Sequence, residues 1–100
     1  MYRQGDVLIV PCEIPSDAKL CRRKRIVLAE GEMTGHAHEI AVKDRPKVRE
    51  YGNDGTMYLK IAAPSELTHQ EHSTITIPPG TYQVVRQREY SPEEIRRVQD

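Results

Sequence analysis

The sequence predicts an all-β fold, a small antiparallel barrel or sandwich closed at its C-terminal end by one short helix. Two observations carry that prediction. Short branched apolar runs recur along the chain, as in Val7-Leu8-Ile9-Val10 and Ile26-Val27-Leu28. Turn formers cut these runs at short intervals, among them Asn53-Asp54-Gly55 and Pro78-Pro79-Gly80. Roughly seven or eight short strands spaced this way suit two packed sheets or a small barrel.

Taken in order, Asp6 to Pro11 is a buried strand by its apolar run, and Ile14 to Ala18 is a proline-containing loop. Arg25 to Ala29 is a second strand, stopped by Gly31. Thr34 to Val42 alternates in polarity, as does Lys47 to Tyr51 after a turn at Asp44-Arg45-Pro46. Asn53-Asp54-Gly55 is the clearest hairpin signal, because Asp-Gly supplies the positive φ angles of a tight turn. It joins Val48–Tyr51 to Met57–Ile61, and Pro78-Pro79-Gly80 joins Thr74–Ile77 to Thr81–Arg86. The tail differs. Ser91-Pro92-Glu93-Glu94 is a capping box with proline at the first helical position, and Ile95 and Val98 give the helix Pro92–Val98 an apolar side. The expected core is Val7, Ile9, Ile26, Leu28, Leu59, Ile61, Ile75, Ile77 and Val84.

One hundred residues suit one domain over 1–100. Fifteen basic and fifteen acidic side chains cancel, which removes any whole-molecule argument for a nucleic-acid or membrane partner. Zero net charge also leaves little to oppose self-association, so a homo-oligomer, a dimer first, is expected. Its contact would be an edge strand starting at Tyr2 or at Thr81, anchored by Tyr2, Tyr82 or Tyr90. The opening Met1-Tyr2-Arg3-Gln4-Gly5-Asp6 lacks the basic-then-apolar order of a signal peptide, and Val7–Val10 is too short to span a bilayer. A cytoplasmic protein with Cys12 and Cys21 as reduced thiols is the corresponding expectation.

All four histidines fall in two clusters, Gly35-His36-Ala37-His38 and His69-Gln70-Glu71-His72. Residues two apart on a strand share a face, so His36 and His38 project side by side. His69 and His72, three apart, converge only if the chain turns there; a strand would instead pair His69 with Glu71. The expected metal shell is therefore His36, His38 and one or both of His69 and His72, with zinc by default and nickel, iron or manganese open. Glu71 and Glu39 lie beside the histidines in sequence as candidate extra ligands or proton carriers.

The Gly-His-x-His segment followed by Pro-Pro-Gly resembles the cupin pattern, in which a His-x-His strand and a Pro-x-Gly turn frame a metal inside a barrel. The glutamate and histidine that cupins place after these two motifs are replaced by Val42-Lys43 and Tyr82-Gln83-Val84. Over nearly its whole length, from Met-Tyr-Arg-Gln-Gly-Asp to Arg-Gln-Arg-Glu-Tyr, the chain is similar to short uncharacterised proteins of bacteria and their phages, a likeness that implies no activity.

Arg22-Arg23-Lys24-Arg25, Arg86-Gln87-Arg88 and Arg96-Arg97 add positive charge that acidic residues balance overall. A solvated surface is the plainer account; a phosphate-binding face is the sharper one. Arg86 and Arg88, two apart on an expected strand, are the candidates to hold an anionic substrate. The sequence thus points first to a metal-binding β-protein of otherwise unknown activity. The alternatives are a metal-dependent hydrolase or cupin-like oxygenase or isomerase on a small polar molecule, and a nucleic-acid or phosphate-binding module that uses its arginines.

Overall fold

Side chains that alternate between the inside and the outside organise the described residues, 1–30 and 35–90 of a computed structural model, into ten strands. The larger sheet comprises β1 (Tyr2–Gln4), β2 (Val7–Pro11), β3 (Lys19–Cys21), β6 (Val48–Asn53), β7 (Thr56–Ile61) and β10 (Gly80–Arg86), in the order β1-β2-β10-β7-β6-β3. The smaller comprises β4 (Val27–Glu30), β5 (Ala37–Ile40), β8 (Ser65–Thr68) and β9 (Ile75–Ile77), in the order β4-β5-β8-β9. Neighbouring strands run antiparallel throughout. The helix expected over Pro92–Val98 lies outside the described residues.

The two sheets face each other across one core. Val7, Ile9, Leu59, Ile61 and Tyr82 of the larger meet Leu28, Ile40, Leu67 and Ile77 of the smaller. Seven of the nine expected core residues are buried, while Ile75 and Val84 sit half-buried at its margin. A second cluster of Leu8, Val10, Cys12, Tyr58 and Val85 packs with Ile14, Ala18, Tyr51 and Tyr90. Alternation along β2 turns Leu8 and Val10 away from Val7 and Ile9, so this strand is buried on both faces, which is why its apolar run is unbroken. Of the two architectures expected, the sandwich forms; the sheets do not close into a barrel.

The Asp54-Gly55 hairpin is as expected: φ is 50° at Asp54 and 78° at Gly55, and Asn53 pairs with Thr56 across it. Three strands differ from expectation. The exposed edge strand β3 and the short strand β8 carry too few apolar residues to announce themselves. The expected Thr81 edge is internal, because β10 lies between β2 and β7. Tyr82 accordingly points into the core and its hydroxyl donates to the Pro78 carbonyl at 2.8 Å, so it is no surface anchor. β1, which begins at Tyr2, is an edge strand. No disulfide joins Cys12 to Cys21. Among the described residues no helix is long and apolar enough to cross a membrane.

A 3-10 turn, Val42–Lys47, carries the chain from the smaller sheet to β6. Its Asp44 is buried; one carboxylate oxygen accepts the Glu66 backbone N–H at 2.9 Å and the other the Lys47 ammonium at 2.9 Å. Asp44 thereby pins β8, the strand that delivers His69. These bonds, the Glu66 N–H first and Lys47 second, hold its pKa below the ordinary 3.8. A depressed folded pKa gives stability that is present above the unfolded value and lost as pH falls through the folded one. Wild-type protein should therefore lose stability below about pH 4, and Asp44→Asn should flatten that loss. Urea titrations at several pH values check it; an unchanged acid slope in the variant contradicts the role.

Candidate metal centre

Strand alternation on β5 turns His38 and Ile40 inward and leaves Ala37 and Glu39 on the other side. His38 is 5 % exposed, an uncommon burial for an imidazole, and its partner explains it. The buried side-chain amide of Gln4 gives both N–H bonds to backbone carbonyls, those of Leu67 and Ser73, each at 2.9 Å. Its oxygen is left to face His38 Nδ1 at 2.8 Å, so the ring must donate there. That bond fixes the tautomer: the proton sits on Nδ1 and the lone pair on Nε2.

The second pair converges through a bend, the alternative to a strand that their spacing left open. β8 ends at Thr68, and the chain bends through residues 70–72. Nδ1 of His69 accepts the backbone N–H of Glu71 at 3.0 Å and, more weakly, that of His72 at 3.4 Å. Gln70 Oε1 accepts the Ala37 N–H at 2.8 Å and ties the bend to the start of β5. The rings of His38 and His69 come within 4.3 Å centre to centre, and those of His69 and His72 within 4.7 Å. His38, His69 and His72 each offer a ligand nitrogen, and these three atoms lie within 4.8 Å of one another, a group that could hold a metal ion.

The β1–β2 turn supplies the floor. Gly5 has φ 59°, and a Cβ added there would lie 2.6 Å from His72 Nε2, so only glycine lets the turn lie against that ring. Asp6 follows, with Oδ1 3.9 Å from His38 Nε2 and Oδ2 accepting Arg86 Nη1 at 2.9 Å. Burial raises the Asp6 pKa, but the Arg86 hydrogen bond and charge outweigh it and the net shift is downward. Sequence reasoning missed Gln4, Gly5 and Asp6. Gln-Gly-Asp carries a turn signal but no ligand spacing, and the three meet the histidines only through the fold.

Electrostatics favours the neutral form of His38 and His69. Burial first, and the neighbouring His69 second, lower the His38 pKa to about 4, against an opposing pull from Asp6. His69 is lowered as well, by burial first and then by His72 and His36. Neutral imidazoles are the form that binds metal.

The other expected site residues fall in different places. His36 lies outside the three-nitrogen group; its Nδ1 is 3.3 Å from Glu71 Oε1, and its ring centre is 5.9 Å from that of His69. Glu71 is exposed at the rim beside it. Glu39 is turned to the opposite side of β5, where Arg25 Nε and Nη2 donate to its two carboxylate oxygens, which removes it as a proton carrier for the cluster. Arg86 borders the centre through Asp6. Arg88 does not share its strand face: β10 ends at Arg86, and Arg88 lies in the 3-10 turn Gln87–Glu89, exposed and 3.9 Å from Glu89.

Between pH 6.5 and about 4 an unfolded chain protonates this histidine while the folded protein does not, so metal-free protein should weaken as pH falls through that window. Nitrogen-detected NMR of the metal-free protein should show His38 neutral with its proton on Nδ1 and a midpoint near 4. A midpoint at the ordinary 6.5, or a proton on Nε2, would contradict the Gln4 arrangement.

Neither the comparison with curated proteins nor that with solved structures finds a match to the chain. A family model does match, over residues 3–87, which takes in the β1–β2 turn, both histidine clusters and Arg86. The chain belongs to the domain-of-unknown-function family DUF8820.

Proposed function

We propose that this protein binds one divalent transition-metal ion on His38, His69 and His72, with zinc the default occupant. The observation that carries the proposal is the convergence of three imidazole nitrogens within 4.8 Å, gathered from β5 and from the bend after β8. A zinc ion with nitrogen ligands at about 2.0–2.1 Å in tetrahedral geometry needs ligand atoms roughly 3.4 Å apart, so the group requires only a modest contraction. Borderline imidazole sites also accept nickel and iron, and manganese where carboxylates contribute.

The two halves of the site are prepared differently. His38 is set in advance, with its tautomer and ring plane held by Gln4. His69 has its Nδ1 lone pair engaged by the Glu71 N–H. Ligation through Nδ1 replaces that bond, and ligation through Nε2 requires the bend to open. The bend is therefore the half that adjusts. Asp6 lies outside the three-nitrogen group, with its Oδ1 3.9 Å from His38 Nε2; drawn in as a fourth ligand, it would give the site a structural, metal-holding character. A metal-dependent hydrolase or cupin-like oxygenase or isomerase would instead keep the fourth position for substrate, with Glu71 at the rim as proton carrier.

Untagged protein loaded with zinc and desalted should retain about one equivalent by elemental analysis. His38→Ala should fall below about a tenth of an equivalent, and His72→Ala should weaken binding strongly, while His36→Ala should stay close to wild type. Gln4→Met, which keeps the side chain's length but not its hydrogen bonds, should weaken zinc by about 10–100-fold. Wild-type protein that retains no metal after loading overturns the proposal, and equal loss in His36→Ala and His38→Ala contradicts the assignment of ligands.

A further inference from the structure

A groove of about 430 Å³ opens beside the edge strand β3, and its rim carries Arg22, Arg23, Lys24, Arg45 and Arg49. No histidine lines it, so it is separate from the metal centre. Of these five charges, one is spent on an ion pair within the protein. Arg23 is neutralised by Glu50 through bonds of 2.8 and 3.0 Å. Arg45 gives its hydrogen bonds to backbone carbonyls of Arg23 and Val48, which hold the guanidinium in place without cancelling its charge. Arg22, Lys24 and Arg49 are exposed and form no ion pair among the described residues.

Strand register turns this groove into part of a row. Arg49 on β6 lies directly opposite Lys60 on β7. β3 ends at Cys21, which pairs with Glu50, and the next residue, Arg22, lines the groove together with Arg49. Like charges directly opposite on neighbouring strands repel and cost stability. Here Arg49 and Lys60 face each other across strands about 4.8 Å apart, with the fixed Arg45 in the same groove as Arg49. A solvated surface has no need of such a row; an anionic ligand relieves it.

We propose that this groove binds phosphate groups, presented either by the backbone of a single nucleic-acid strand or by a compact polyphosphate. Arg22 and Arg49 keep their guanidinium forks uncommitted among the described residues, and a planar fork matches phosphate oxygens in pairs. The lining contains Leu20, Pro46 and Val48 but no aromatic ring, so bases have nothing to stack on and recognition rests on the phosphates. The chain's zero net charge therefore conceals a local cationic face whose counter-charges lie elsewhere.

The test is fluorescence anisotropy with a fluorescein-labelled thymidine oligomer of about twelve nucleotides, titrated at several salt concentrations. The combined variant Arg22→Ala, Lys24→Ala, Arg49→Ala removes exposed side chains only, and circular dichroism confirms its fold. It should bind at least about tenfold more weakly, and its salt slope should shrink by about two, at roughly 0.7 per lost phosphate contact on a single strand. Arg88→Ala, beyond the far end of β10, should bind as wild type does. Displacement by micromolar inorganic tripolyphosphate identifies a compact polyphosphate as the ligand source, and displacement only at millimolar levels identifies the strand backbone. Either result supports phosphate recognition. Absence of saturable binding of both probes, an unchanged combined variant, an equal loss in Arg88→Ala, or equal displacement by polyglutamate would each overturn it.

Discussion

The side-chain amide of Gln4 is the junction on which the centre depends, because all three of its hydrogen-bonding directions reach a different segment. One N–H goes to Leu67 on β8, the other to Ser73 beyond the bend, and the oxygen to His38 on β5. Gln4 itself lies on β1 of the larger sheet and is 3 % exposed. A buried amide with every group satisfied is strongly oriented, since rotating it leaves polar atoms unpaired in a low-dielectric interior. The same amide therefore joins the two sheets and chooses which nitrogen His38 presents. Gly5 and Asp6, the next two residues, inherit their places from this anchor: one lies against the His72 ring, and the other holds a carboxylate near His38 Nε2 between that ring and Arg86.

Burial then sets the chemistry. A histidine at 5 % exposure is expensive to charge, and the neighbouring His69 raises that cost, so His38 stays neutral across ordinary pH. Three imidazole nitrogens within 4.8 Å of one another make an electron-rich pocket. Asp6 offers a negative charge at its edge, but that charge is shared with Arg86. The loop half of the site keeps a bond that a ligand must displace, the Glu71 N–H to His69 Nδ1. Affinity is thus a balance between a fixed donor on a strand and a bend that has to move.

Much of this was legible in the sequence, and the exceptions have physical reasons. An unbroken branched run marked β2, and Asp54-Gly55 marked the hairpin that leads into β7, because local backbone preference and burial agree there. β8 reads Ser-Glu-Leu-Thr and buries Ser65 beside Leu67, so its apolar signal is a single residue. β3 is an exposed edge whose pairing to β6, rather than its composition, makes it a strand. The spacing of His69 and His72 left a turn and a strand both open, and the bend after β8 decides between them. The alternation that sends His38 inward also sends Glu39 outward to Arg25, so strand geometry outweighs its adjacency in sequence. The β1–β2 turn is distant in sequence from every histidine, and no local pattern reveals a contact made across the sandwich. Charge behaves the same way: a balanced total says nothing of register, and it is register that sets Arg49 opposite Lys60.

The central claim is that three imidazoles drawn from two segments, with the β1–β2 turn beneath them, make one metal centre. X-ray absorption at the zinc edge, on wild-type protein carrying one equivalent of zinc, tests it most directly. Three imidazole ligands should appear, recognised by their outer-shell scattering, with zinc–nitrogen distances of about 2.0–2.1 Å and one further light-atom ligand. A sulfur shell from Cys12 or Cys21, or a spectrum with one imidazole or none, would contradict the account.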